Sequence, residues 1–167
     1  LNGSKVFISN GTFADFIVVT AKTAPEKGLQ GMSLLILEKR TPGFSARRIP
    51  VVGVRATESA ELTFEDCKLG PDALLGRENE GFIQAMKTLT LGRIMASAFA
   101  CGLGRAALEA SLKYAGERKA FGQTIGSFQG NQWMLADMAT RLDAAWLLTF
   151  RAARLADAGT PHIKEAS

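Results

Sequence analysis

Arg118-Lys119-Ala120-Phe121-Gly122, with Gln129 seven residues after the glycine, is the run of this chain best equipped for chemistry. A guanidinium offers a rigid fork of donors that fits phosphate oxygens. An aromatic ring beside it can lie against a flat heterocycle, and a glycine lets the backbone turn close to a ligand. The run interrupts two long helical patterns. Cations set against the dipole of a helix C-terminus would account for Arg118 and Lys119, but not for Phe121, Gly122 and Gln129 together.

Other reactive residues are sparse. Cys67 and Cys101 lie 34 residues apart without metal-ligand spacing, and His162 is the single histidine. Zinc and triad chemistry therefore have no support, and two free thiols are expected in preference to a disulfide. The net charge of +4 falls entirely in residues 81–167, because residues 1–80 carry as many acidic as basic side chains. That excess is too dispersed for a nucleic-acid footprint; it suits a solvated surface or a small polyanion. No GxGxxG run follows a strand and opens a helix, and no GxxxxGK[ST] run is present. The longest apolar candidate, Phe16 to Ala21, is strand-sized, so no membrane span is expected.

The positioning elements follow from periodicity. Lys5–Asn10 (ending in the hairpin-type pair Asn10-Gly11), Phe16–Lys22, Ser33–Glu38, Phe44–Ile49 and Glu61–Cys67 read as strands, with Ala24–Gly31 a loop tip. Near Pro71 the period changes. Phe82, Met86, Leu89, Arg93, Ala96 and Ala100 predict a helix from Gly81 to about Lys119. Small residues at Ala96–Ala98, Gly102 and Gly104 suggest close packing against a neighbour. A second helix is predicted from about Ser127 to Ala158, with Gly159 as its C′ residue and Pro161 opening a third. The class is α+β: an antiparallel β-barrel or sandwich, then long up-down helices. The expected division is residues 1–71 for the β part, 72–80 for a connector and 81–167 for the helices. Both ends read as internal to a longer polypeptide.

In this order of elements the chain resembles the flavin-dependent acyl-CoA dehydrogenases. The stretches that carry the resemblance are LNGSKVFISNG (1–11), EKRTPGFS (38–45), RATESAELTFEDCKLGPDALLG (55–76), EGFIQAMKTLTLGRI (80–94) and YAGERKAFGQTIGSFQGNQWMLADM (114–138). The resemblance implies the later part of the family's middle β domain followed by the first helices of a four-helix-bundle domain. It implies FAD as cofactor. Phe7-Ile8-Ser9 stands where the family usually has a flavin-contacting Trp-Ile-Thr. Arg118 matches an arginine that reaches the FAD pyrophosphate across a subunit interface, with Phe121, Phe128 and Gln129 beside the same cofactor.

Arg93 matches an arginine of the acyl-CoA site, and Thr90 stands where the family usually has Asp. Met86, Leu89 and Met95 could border the acyl pocket or belong to the core. The implied reaction is α,β-desaturation of an acyl-CoA thioester: proton loss from Cα and hydride transfer from Cβ to flavin. The family's catalytic Glu has no counterpart here, so these 167 residues alone are expected to be inactive. An electron-transfer flavoprotein is the implied acceptor, and a homotetramer or homodimer the implied assembly. The implied location is the cytoplasm of a bacterium or the mitochondrial matrix of a eukaryote. Acyl-CoA oxidases and flavin monooxygenases on the same fold, and a non-catalytic association scaffold, remain as alternatives.

Overall fold

The computed structural model describes residues 1–167, which fall into two compact units, Leu1–Met86 and Lys87–Ser167. The first contains β1 (Gly3–Ile8), β2 (Phe16–Lys22), β3 (Met32–Glu38), β4 (Phe44–Arg48), β5 (Ala60–Phe64) and β6 (Leu74–Leu75). They form two antiparallel three-stranded sheets, ordered β1-β5-β4 and β2-β3-β6. In β5 the alternation puts Ala60, Leu62 and Phe64 inside and leaves Glu61 and Thr63 part-exposed. These three meet Ile17 and Val19 of β2, Leu37 of β3 and Cys67 in one cluster. A core drawn from both sheets makes the unit sandwich-like; the sheets do not close into a barrel.

The expected strands form, with ends shifted by a few residues. Asn10-Gly11 is a turn, with Asn10 at φ 64°, but not the turn of a hairpin. Its carbonyl accepts the N–H groups of Phe13 and Ala14, which carries the chain onward instead of straight back. β1 therefore pairs with β5, and β2 with β3. The connector also hides a strand: Leu74 and Leu75 pair with Leu35 and Leu34. Two residues are too few to show a period. Ser33, fully buried, ties β3 to the turn that leads into the following helix. Its hydroxyl accepts the N–H of Asn79 at 2.8 Å and shares a 2.7 Å hydrogen bond with Thr23.

The second unit is built on α1, Gly81–Glu117, whose first residues belong to the first unit, and α2, Gln129–Asp157. Between the helices lie two short strands, β7 (Lys119–Ala120) and β8 (Gln123–Thr124). The helices run antiparallel. Cys101 Sγ lies 3.9 Å from Thr149 Oγ1, and a Cβ on Gly104 would stand 3.2 Å from Leu142 Cδ1. Gly104 thus fits the close packing expected of the small-residue zone, whereas Gly102 faces open space. Both cysteines are buried free thiols.

α2 ends as expected. Gly159 takes φ 64°, its N–H bonds Ala156 O, and the N–H of Thr160 bonds Leu155 O. After Pro161 the residues up to Ser167 show only the start of a further turn. That turn is closed by the Ala166 N–H on His162 O. No helix is long and apolar enough to cross a membrane.

Leu62 is 1% exposed and belongs to the core cluster drawn from both sheets. Leu62→Ala is expected to lower unfolding stability by about 2–5 kcal/mol, the usual cost of an emptied core site. Denaturant titration of the full-length protein checks this; a loss under about 1 kcal/mol would mean that the two sheets do not share one core.

Candidate functional site

The chain between the two helices is a β-hairpin. β7 and β8 pair Lys119 with Thr124 and Ala120 with Gln123, leaving a two-residue turn at Phe121-Gly122. Both turn residues have positive φ, 51° and 83°, which is the pattern of a type I′ hairpin. Glycine adopts that backbone freely. Phenylalanine does so at a cost of about 1–2 kcal/mol. Its ring is 96% exposed, so burial does not offset the cost. A strained backbone that displays an unburied ring is the kind of outlier that points to a binding role. The one aromatic neighbour is Phe128, edge-on at 6.3 Å between centroids.

Arg118 sits at the base of this hairpin. It is exposed and takes part in none of the ion pairs of the structure. Its N–H still bonds Tyr114 O in the last turn of α1, while its carbonyl accepts the N–H of Ile125 at 2.8 Å. Gln129, exposed, is the first residue of α2. The returning arm is anchored from both helices. A Cβ on Gly126 would stand 3.0 Å from Ala115 O, so only glycine fits without displacement. Asn131 Nδ2 donates to Ile125 O at 2.7 Å, and Gln132 Nε2 to Gly126 O at 3.1 Å. Sequence reading found the displayed residues but missed the hairpin and these two amides. The available signal was Phe-Gly flanked by short polar arms, together with two carboxamides in the first turns of a helix.

Phe7, Ile8 and Ser9 lie in the first unit. The register of β1 against β5 slips between Lys5 and Ile8, and Phe7 takes φ 60° inside that bulge. Ile8 remains packed on the core, Phe7 is 71% exposed and Ser9 is exposed in the turn. Other left-handed residues, Val54 and Glu58, flank the Arg55–Thr57 turn. Glu58 accepts the Thr12 hydroxyl at 2.7 Å and faces Arg48 at 3.5 Å, while Thr57 O takes the N–H of Asn10. Phe7 is thus a second aromatic ring held outward by a strained backbone.

Thr90 and Arg93 form a separate group on α1. Thr90 is buried; Arg93 is exposed and donates to Ser167 Oγ at 3.3 Å. Leu89 and Met95, half and three-quarters exposed, are not core residues of this chain. A cavity of about 320 Å³ opens between α1 and α2, lined mainly by apolar side chains such as Ile94, Ala145 and Ala152. It is distinct from the hairpin. The structure thus places Arg118, Phe121, Phe128 and Gln129 on and beside one hairpin, with Phe121 and Phe128 in ring contact, and Phe7–Ser9 and Thr90/Arg93 in two further groups. No cluster of His, Cys, Asp or Glu suited to a metal is present.

Comparison with known proteins gives these groups a context. Residues 1–67 match the family model for the acyl-CoA dehydrogenase middle domain, and residues 79–167 match the model for its C-terminal domain. The chain is 48% identical to the acryloyl-CoA reductase (NADH) of Anaerotignum propionicum, over 100% of this chain and 43% of that protein. A chain in the structure of the electron transferring flavoprotein of Acidaminococcus fermentans superposes with a TM-score of 0.93 at 47% identity, over 99% of this chain and 44% of that one. Butyryl-CoA dehydrogenase of Megasphaera elsdenii superposes equally well, at 0.93 and 39% identity, over 99% and 43%. The chain spans less than half the length of these relatives. With both family models matched in order along it, the chain belongs to the acyl-CoA dehydrogenase family.

Proposed function

We propose that this chain is the part of an FAD-dependent acyl-CoA dehydrogenase that holds cofactor and acyl-CoA contacts without the catalytic base. The observation that carries this reading is the Phe121-Gly122 turn, which displays an unburied ring three residues after an arginine that makes no ion pair. Those groups fit a dinucleotide: a guanidinium for the pyrophosphate, rings for a flat heterocycle and Gln129 as a hydrogen-bonding side chain. Phe7, Ile8 and Ser9 would supply the contacts on the β domain. The indole N–H of the family's usual Trp is replaced by a plain ring, and Ser9 keeps a hydroxyl. Arg93, exposed, would face the acyl-CoA, whereas the burial of Thr90 speaks against a direct contact from that residue.

When bound, the flavin supplies the hydride acceptor. The α-proton of a thioester is weakly acidic, so its removal needs a positioned carboxylate and donors to the thioester oxygen. No carboxylate of this chain matches the base. The role of these residues is to bind and orient. In the same reading, residues 1–71 belong to the β domain, 72–80 to a connector and 81–167 to the start of a helical bundle. The exposed Met95, Phe99, Leu147 and Leu148 support this, because faces so apolar pack against further helices or subunits.

The whole protein would be a homo-oligomer acting on short acyl-CoA thioesters, since acryloyl and butyryl relatives are both near. Electrons would pass to an electron-transfer flavoprotein. Relatives of this chain occur both in bacteria and in mitochondria, which supports a bacterial cytoplasm or a mitochondrial matrix.

Three measurements on the full-length protein test the reading. Arg118→Ala is expected to weaken FAD binding by roughly 10- to 100-fold, the loss of a charge-assisted hydrogen bond worth about 1.5–3 kcal/mol; unchanged occupancy removes Arg118 from the site. Phe121→Gly is expected to keep or raise the melting temperature, by relief of the left-handed strain, while FAD is retained less well. A drop in melting temperature of the apoprotein would instead assign the ring a structural role. Anaerobic addition of C3 to C6 acyl-CoAs is expected to bleach the flavin absorbance. Failure of every thioester would overturn the dehydrogenase reading, and reoxidation by air at the turnover rate would favour an oxidase.

A further inference from the structure

We propose that Asn131 is a positioning residue for the cofactor site, acting through Ile125 to hold the hairpin that presents Arg118 and Phe121. The proposal rests on the FAD reading given above.

Ile125 is the node of the loop. Its N–H donates to Arg118 O at 2.8 Å, so it fixes the backbone at the base of the hairpin. Its carbonyl accepts two donors, the N–H of Phe128 at 3.3 Å and Asn131 Nδ2 at 2.7 Å. The shorter bond comes from a side chain in the first turn of α2. Two bonds therefore link that helix to the backbone of Arg118, by way of one residue.

The first turn of α2 is unusual in a way that matches this task. Its N-cap is Phe128, which caps nothing with its side chain, and the turn contains no acidic residue. Helix starts usually carry Ser, Thr, Asp or Asn at the cap and Asp or Glu just inside it. A carboxylate at position 131 would face the Ile125 carbonyl with no proton to donate. An amide at the same place donates, and it turns the side chain back towards the loop. Asparagine is otherwise a poor helix residue. Gln132, one position on, repeats the device with its 3.1 Å bond to Gly126 O, but from an exposed side chain. Asn131 is part-buried, so water competes less for its bond.

The decisive variant is Asn131→Asp, which keeps the size and removes the donor; Asn131→Ala removes the side chain. Arg141→Ala, at an exposed ion pair further along α2, is the control. In the full-length protein, FAD dissociation constants, amide exchange at residues 118–125 and the melting temperature of the apoprotein would be measured. Both Asn131 variants are expected to weaken FAD about tenfold and to speed exchange of the Ile125 amide, with exchange in the body of α2 and the melting temperature unchanged. Unchanged FAD affinity together with unchanged Ile125 exchange in Asn131→Asp would overturn the proposal. So would a loss of FAD accompanied by an equal loosening of the whole of α2, which would make the residue structural only. If Arg118→Ala leaves FAD binding intact while Asn131→Asp still frees Ile125, the cofactor reading fails and the clamp stands.

Discussion

A helix of 37 residues has to reverse its direction between Glu117 and Gln129, and the second unit depends on how that is done. A flexible loop could join two antiparallel helices, but it would leave its polar backbone groups to water and its side chains without fixed directions. This chain uses a hairpin with paired strands, a one-turn 3₁₀ segment at Ile125–Ser127 and two carboxamides reaching back from α2. Across this reversal Cys101 faces Thr149 and Gly104 faces Leu142. At the tip of the hairpin the ring of Phe121 stands almost fully in solvent.

The β unit places its exposed ring by a related device. A bulge in β1 turns Phe7 to positive φ and outward, while Ile8 next to it stays on the core. In both places the backbone adopts a conformation that costs phenylalanine free energy. In both, neighbouring hydrogen bonds and packing over-determine the position. Local strain of this type persists only where the surroundings are stable enough to hold it. Here the surroundings are the sandwich core around Leu37, Leu62 and Phe64 in one case and the helix ends in the other.

Much of this was legible from residues alone, and the reason differs by element. β5 was readable because burial on one face of a sheet imposes a period of two, and β2 because its run of β-branched residues favours extended backbone. α2 was readable to within about two residues because Gly159 must take a left-handed conformation to end it. Arg118, Phe121 and Gln129 stood out because no single structural role explains all three types at that spacing. The β6 strand was not legible, because two leucines carry no period and their partners in β3 lie some 40 residues away. Asn10-Gly11 was misassigned as a hairpin turn, because strand pairing is decided by which faces share a core and not by the turn pair itself.

Sequence by itself determined the elements, the class and the chemical types available: local periods, turn residues and side-chain functional groups are properties of the chain read in order. It also determined the kinship, since motif order survives without coordinates. Only the tertiary structure decided which residues act together. It set Asn131 on the carbonyl of Ile125 and Ile125 on the carbonyl of Arg118, and it turned Phe7 and Phe121 outward. It also drew the sandwich core from two sheets whose strands are interleaved along the chain. Hydrogen bonds to backbone carbonyls and the sign of φ leave no period in a sequence, because they depend on where distant segments come to rest.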